Sequence, residues 1–180
     1  MLELSLHVLD IVNNSVKAKA ETIEIIIDEQ IEKNTLSVTI RDNGCGMDEE
    51  FLKTVTDPFK TTRTTRKVGM GISLFQAAAE ATGGNLTISS EKNVGTEVIA
   101  TFTYDHIDRQ PMGDMASTMQ TLVSSNENID FIYRHIRNEK EFLFDTAQIK
   151  KILGDVSLNN PEILLWICDY IEEGLQEINS

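Results

Sequence analysis

LSVTIRDNGCGM, Leu36 to Met47, is the stretch from which the rest of the chain is read. Leu36 to Asp42 is rich in β-branched residues, which predicts a strand. That strand ends on a carboxylate and runs directly into Asn-Gly-Cys-Gly. Glycine has no Cβ, so Gly44 and Gly46 let backbone approach a flat ligand closely. Asp42 can accept a hydrogen bond from an exocyclic amine such as that of adenine. Taken alone, the same residues also suit an ordinary turn between strand and helix.

Upstream, TIEIIID (Thr22–Asp28) is a second β-branched run, separated from the first by the polar EQIEKNT, and the two predict an antiparallel pair. Before it, residues 3–17 predict one helix, with apolar positions at Leu2, Leu6, Leu9 and Val16 and with Ile11 and Val12 beside them. Downstream, DEEFLKTVT predicts a short helix capped by Asp48. Residues 57–68 show neither period and predict a long flexible loop. GMGISLFQAAAEATGG predicts a helix opening at Gly69-Met70-Gly71 and stopping at Gly83-Gly84. NLTISSE and GTEVIATFTY supply two more strands around a turn at Asn93-Val94-Gly95.

After Tyr104 the pattern changes. HIDRQPMGD reads as a linker, MASTMQTLVS as a helix, IDFIYRHIRNEKEFLFD as a hairpin turning near Asn138-Glu139, and IKKILG and PEILLWICDYIEEGLQEI as helices. The expectation is therefore two units, 1–104 and 105–180, the second small for an independent core. Its apolar stripe, Leu164, Leu165, Ile167, Ile171 and Leu175, is expected to pack on the hairpin or on the first unit.

A net charge of −13 argues against unaided binding to nucleic acid or an anionic membrane, both of which reward a basic face. No apolar run approaches the roughly 20 residues that a bilayer crossing needs. MLELSLHVLDIVNNS has neither the basic start nor the cleavage site of a signal peptide. Cys45 and Cys168 make no disulfide framework. A cytoplasmic protein is expected. Within this acidic chain Lys60, Arg63, Arg66 and Lys67 crowd together, and a phosphate-bearing ligand would explain them.

Asp10, Asn14 and Lys17 stand at i, i+4 and i+7, so they project from one face of the first helix. A carboxylate, a neutral oxygen ligand and an ammonium suit a hydrated Mg2+ beside a phosphate chain, because magnesium keeps several waters and takes only one or two protein oxygens. A solvated polar face has the same composition. The glycine-opened helix after TTRTTRKV would offer free N–H groups to an anion. It matches neither a Walker loop nor a dinucleotide-binding fingerprint.

In order, LDIVNNSVKAKA, IRDNGCGM, DPFKTTRTT, KVGMGISLF and NVGTEVIATF resemble the N box, G1 box, lid, G2 box and threonine-bearing last strand of GHKL ATPases, the Bergerat fold. The resemblance covers nearly all of residues 1–104; its first half is most similar to mismatch-repair ATPases and its second to histidine kinases. It implies an α+β fold, an α/β sandwich with a mixed, mainly antiparallel sheet covered by helices on one face, here followed by a small C-terminal α+β appendage. It also implies ATP and Mg2+ as ligands. Asn14 would hold the metal and Asp42 would read the adenine amine. Gly44, Gly46 and Met47 would line the purine pocket, and Thr96 would support Asp42. Lys17, Lys60, Thr61, Thr62, Lys67 and the Gly69-Met70-Gly71 segment would face the phosphates.

Two departures shape the functional expectation. The chain begins at the N-box helix, without the two-helix phosphoacceptor module that histidine kinases of the usual kind carry, and none of His7, His106 and His135 resembles that acceptor. At position 10, where hydrolytic relatives and anti-sigma serine kinases place Glu, stands the shorter Asp10, the candidate general base. Three functions stay open: a regulatory kinase-like protein transferring phosphate in trans to a protein partner, an ATP-gated interaction module, and a slow ATPase. Assembly as a homodimer is also left open.

Overall fold

A computed structural model describes residues 3–55 and 66–180 of the chain, with backbone alone for Thr54, Val55 and Arg66–Met70. The elements are α1 (Leu4–Lys17), β1 (Thr22–Gln30), β2 (Thr35–Asp42), α2 (Glu49–Val55), α3 (Arg66–Glu80), β3 (Asn85–Glu91) and β4 (Gly95–Thr103). There follow α4 (Met115–Ser125), β5 (Asp130–Arg137), β6 (Lys140–Asp145), α5 (Thr146–Leu153) and α6 (Pro161–Asn179).

The strands form one six-stranded sheet in the order β3-β4-β2-β1-β5-β6. All neighbours are antiparallel except β1 and β5. This is the mixed, mainly antiparallel α+β arrangement that the sequence implied. Strand side chains alternate between faces, and burial follows that alternation. Ile23, Ile25 and Ile27 of β1, Leu36, Val38 and Ile40 of β2, and Val98, Ala100 and Phe102 of β4 all point into one core. Leu4, Val8, Ile11 and Val12 of α1, Ile72, Phe75 and Ala79 of α3, Met115, Met119 and Leu122 of α4, and Ile167 and Ile171 of α6 complete it.

The sheet continues across Tyr104. β5 lies beside β1, which places Thr22 opposite Asp130 and Glu29 opposite Arg137. A chain of buried polar groups ties the two strands: Tyr133 Oη and His135 Nδ1 are 2.6 Å apart, as are His135 Nε2 and Glu29 Oε2. Burial opposes ionisation of Glu29, but the hydrogen bond and charge of His135, with Arg137 and Arg109, hold its carboxyl below the usual glutamate value. The buried stripe of α6 comprises Ile167, Ile171 and Ile178, with Leu164 and Leu175 partly covered. Leu165 departs from the expected stripe: it is 64% exposed, because it falls on the opposite side of the helical turn from Ile167 and Ile171.

Most predicted boundaries hold. Asp48 caps α2 by accepting from the Phe51 N–H at 2.8 Å, and Asn138 takes a positive φ in the β5–β6 turn. One boundary is corrected. α3 starts at Arg66, so Gly69-Met70-Gly71 lies inside the helix and not at its opening, where the free N–H groups are. Gly71 is buried against α1, where a Cβ would lie 3.7 Å from that of Asp10. That distance is an ordinary van der Waals contact, so the packing of α3 on α1 does not by itself require glycine at position 71. Arg66 to Val68 are helical, and the rest of the predicted 57–68 loop lies outside the described residues.

Candidate functional site

α1 presents Ile11, Asn14 and Ser15 along one face, and with Ala18 just beyond its end that face forms a wall of a pocket of about 220 Å³. Ile40 and Asp42 at the end of β2, Thr96 and Val98 of β4, and the Cys45-Gly46-Met47 segment make other walls. Phe51 of α2 and Ile72 of α3 add apolar surface, and Lys17 stands at the rim. A slot lined mostly by aliphatic, sulfur and aromatic groups, with a few convergent polar atoms, is how proteins bind a flat heterocycle.

Asp42 is the fixed acid of this pocket. Its backbone is opposite Ile23 on one side and Thr96 on the other, in the middle of the sheet. Its carboxylate is oriented by two donors: the Ser15 hydroxyl gives to Oδ2 at 2.5 Å and the Gly44 N–H gives to Oδ1 at 2.9 Å. Each carboxylate oxygen has more than one lone pair, so both keep acceptor capacity. Ser15 is buried on α1 and was missed in the sequence; a small hydroxyl beside Asn14 carries no pattern of its own.

The glycines matter for a reason other than the one expected. A Cβ on Gly44 would lie 2.8 Å from the Ala18 carbonyl oxygen, and one on Gly46, whose φ is +68°, would lie 2.0 Å from that of Glu91. Both positions let the loop close against α1 and the β3–β4 turn. The Cys45 N–H gives to Ala18 at 2.9 Å and the Asn93 N–H gives to Cys45 at 2.6 Å. Gly46 also lines the pocket, whereas Gly44 faces Ala18.

Thr96 lines the pocket, but its hydroxyl pairs at 2.7 Å with that of Ser90, another residue the sequence did not reveal. Ser90 also accepts from the Met47 N–H at 2.8 Å, so β3 and β4 together hold the loop. Asn14 has a buried Nδ2 with no hydrogen-bond partner among the described residues. The two ends of a carboxamide are assigned from their hydrogen bonds. With the ends exchanged, the same position is an unclaimed buried oxygen, which suits a cation.

Asp10 lies one turn before Asn14, exposed, outside the pocket lining and next to Gly71. His7 is half-buried, stacked on Phe75 with ring centroids 5.1 Å apart, and paired with Gln110 at 3.0 Å. Burial pushes its imidazole below the usual histidine value, and the Gln110 bond and Asp10 charge do not offset it. These contacts make His7 a packing residue. Lys60, Thr61 and Thr62 lie outside the described residues, and Lys67, Gly69 and Met70 are placed as helical backbone only. The structure thus gathers Asn14, Lys17, Asp42, Gly46, Met47 and Thr96 around one pocket.

Residues 2–106 match the family described as histidine kinase-, DNA gyrase B- and HSP90-like ATPases. The chain belongs to this family. It is an ATP-binding, histidine-kinase-like ATPase domain. Among relatives, a sensor protein of Shewanella frigidimarina is 37% identical over 75 residues, 41% of this chain and 12% of its own. A sensor-like histidine kinase of Rhizobium meliloti is 28% identical over 102 residues, 54% of this chain and 19% of its own. The signal transduction histidine-protein kinase AtoS of Escherichia coli is 34% identical over 96 residues, 53% of this chain and 15% of its own. The matched chain therefore spans no more than a fifth of these relatives. The solved N-terminal domain of a DNA repair protein is similar in fold, with a TM-score of 0.60 at 19% identity, covering 86% of this chain and 58% of that one. No helix among the described residues is long and apolar enough to cross a membrane.

Proposed function

We propose that this family member is a Mg-ATP-dependent regulator that transfers phosphate in trans to a separate protein partner in the cytoplasm. The observation that carries the nucleotide part is the Asp42 carboxylate, oriented by Ser15 and Gly44 at one end of an apolar slot. An adenine amine would donate to Asp42, and its ring would lie among Ile40, Met47, Ile72 and Val98. Asn14, whose buried carboxamide end is unclaimed, and water would hold Mg2+, with Lys17 beside the phosphates. Bound Mg2+ would supply charge neutralisation at the phosphates.

Asp10 would then lie where a partner hydroxyl or water needs a base, one helical turn along from Asn14 and next to Gly71. Its exposure favours an acceptor brought from outside. The same exposure, together with its place outside the pocket lining, supports a second reading, an ATP-gated interaction module with little turnover. Incubation with γ-labelled ATP, Mg2+ and cell extract separates them. Label on a second protein supports transfer, released phosphate supports a slow ATPase, and binding without either supports gating. Absence of nucleotide binding by calorimetry at millimolar ATP would remove all three.

A further inference from the structure

We infer that the outer face of α6 is a docking surface for a basic amphipathic segment of a partner protein. Leu165, Trp166 and Tyr170 are 64%, 48% and 39% exposed. They stand at i, i+1 and i+5, and with Glu162, Asp169 and Glu173 they make one exposed stripe along the helix. The Trp166 and Tyr170 rings are stacked, 5.1 Å apart and 17° from parallel. Tyr170 in turn leans on Phe142 and Phe144 of β6. The aromatic surface is thus held in place before any partner arrives, which limits the entropy lost on binding.

This face cannot be turned inward. Ile167, Ile171 and Ile178 fill the opposite side of α6. A Cβ on Gly174 would lie 2.1 Å from the Phe142 ring, so the helix sits directly on β6 in this rotation. Gln120 of α4 also donates to the Leu164 carbonyl at 2.9 Å and holds the helix from the side.

Charge selects the occupant. Residues 152–180 contain six carboxylates, Asp155, Glu162, Asp169, Glu172, Glu173 and Glu177, and no Lys or Arg. A second copy would bring the same carboxylates face to face, and an anionic lipid surface would be repelled. A helix with leucine-like residues on one side and lysines flanking them matches both the apolar stripe and its acidic rim. The reading does not depend on what happens at the nucleotide site.

Trp166 is the only tryptophan in the chain, so its emission reports on this surface directly. The full chain is titrated with a Leu/Lys amphipathic peptide matched to the 19 residues of α6. A Leu/Glu peptide of the same pattern and a Ser/Lys peptide without an apolar face serve as controls. Saturable blue-shifted emission with Leu/Lys alone is expected, weakening with salt. Leu165→Glu should weaken binding about tenfold or more. The double change Asp169→Lys with Glu173→Lys, on exposed positions that leave the core intact, should favour Leu/Glu instead. Equal responses to all three peptides, no response, or insensitivity to both variants overturns the proposal. So does a blue shift without peptide that tracks dimer formation by light scattering or addition of neutral phosphatidylcholine vesicles.

Discussion

Replacing Asp42 by Asn should nearly abolish the thermal stabilisation that ATP confers, while leaving the nucleotide-free protein almost unchanged. In the native site Asp42 accepts from Ser15 and Gly44. An Asn oxygen can still accept from Gly44, and the Ser15 hydroxyl can rotate to accept from the new amide, so the loop keeps its ties. A purine amine, however, would meet either a weaker neutral acceptor or a competing N–H. A hydrogen bond to a charged group contributes about 1.5–3 kcal/mol, which corresponds to a rise in Kd of roughly 10- to 150-fold. At an ATP concentration about 100 times the native Kd, binding stabilises the fold by about 2.7 kcal/mol; a 100-fold weaker Kd leaves about 0.4 kcal/mol. For a chain of this size each kcal/mol moves Tm by about 2–4 °C. The ATP-dependent shift should therefore fall from roughly 5–11 °C to about 1–2 °C, read by scanning fluorimetry with and without Mg-ATP. A variant that unfolds like the native protein without nucleotide and keeps the full ATP shift would refute Asp42 as the reader of the base.

Asp10→Ala should retain the ATP-dependent Tm shift but lower any phosphate transfer or release by about 100-fold; turnover at the native rate would remove Asp10 from catalysis. Gly46→Ala places a Cβ at a φ of +68° and 2.0 Å from the Glu91 carbonyl oxygen, and the strain should cost about 2 kcal/mol or more. Calorimetry without nucleotide should show Tm lower by about 4–8 °C. Because burial holds the His7 imidazole below its ordinary value, the folded state favours the neutral ring; stability is full above about pH 6.5 and falls as acidification takes the unfolded chain's histidine through its titration. His7→Gln should flatten that part of a Tm-against-pH curve. Glu29 acts in a lower window, because its carboxyl is held below the usual value. Its contribution persists above roughly pH 4.5 and is lost as pH falls through the folded value, so urea midpoints of Glu29→Gln and native protein should converge in acid.

Local chemistry was legible wherever the physical signal was local. Alternating β-branched runs announced β1 and β2, Asp48 announced the α2 cap, and an acid at a strand end followed by Gly-Cys-Gly announced the pocket floor. Helical spacing alone placed Asn14 and Lys17 on a common face, and the fold brings that face to Asp42 and Thr96. The apolar and polar hydroxyl partners were not legible. Ile40, Ile72 and Val98 are core residues in any strand or helix pattern, and Ser15 and Ser90 look like any other serines until folding brings them to Asp42 and Met47.

Side-chain period and capping chemistry are properties of neighbouring residues, so the chain order alone determined most of the elements, and the motifs it carries, through the family they resemble, pointed to the ligand class. Pairing between distant segments depends on which complementary faces meet. Only the tertiary structure decided that β5 runs parallel to β1, that a buried Glu29–His135–Tyr133 chain secures it, and that the glycines of the second box lie within α3. The same holds for α6: its sequence carries apolar residues nearly all round, and the packing of Gly174 on Phe142 selects which of them remain outside.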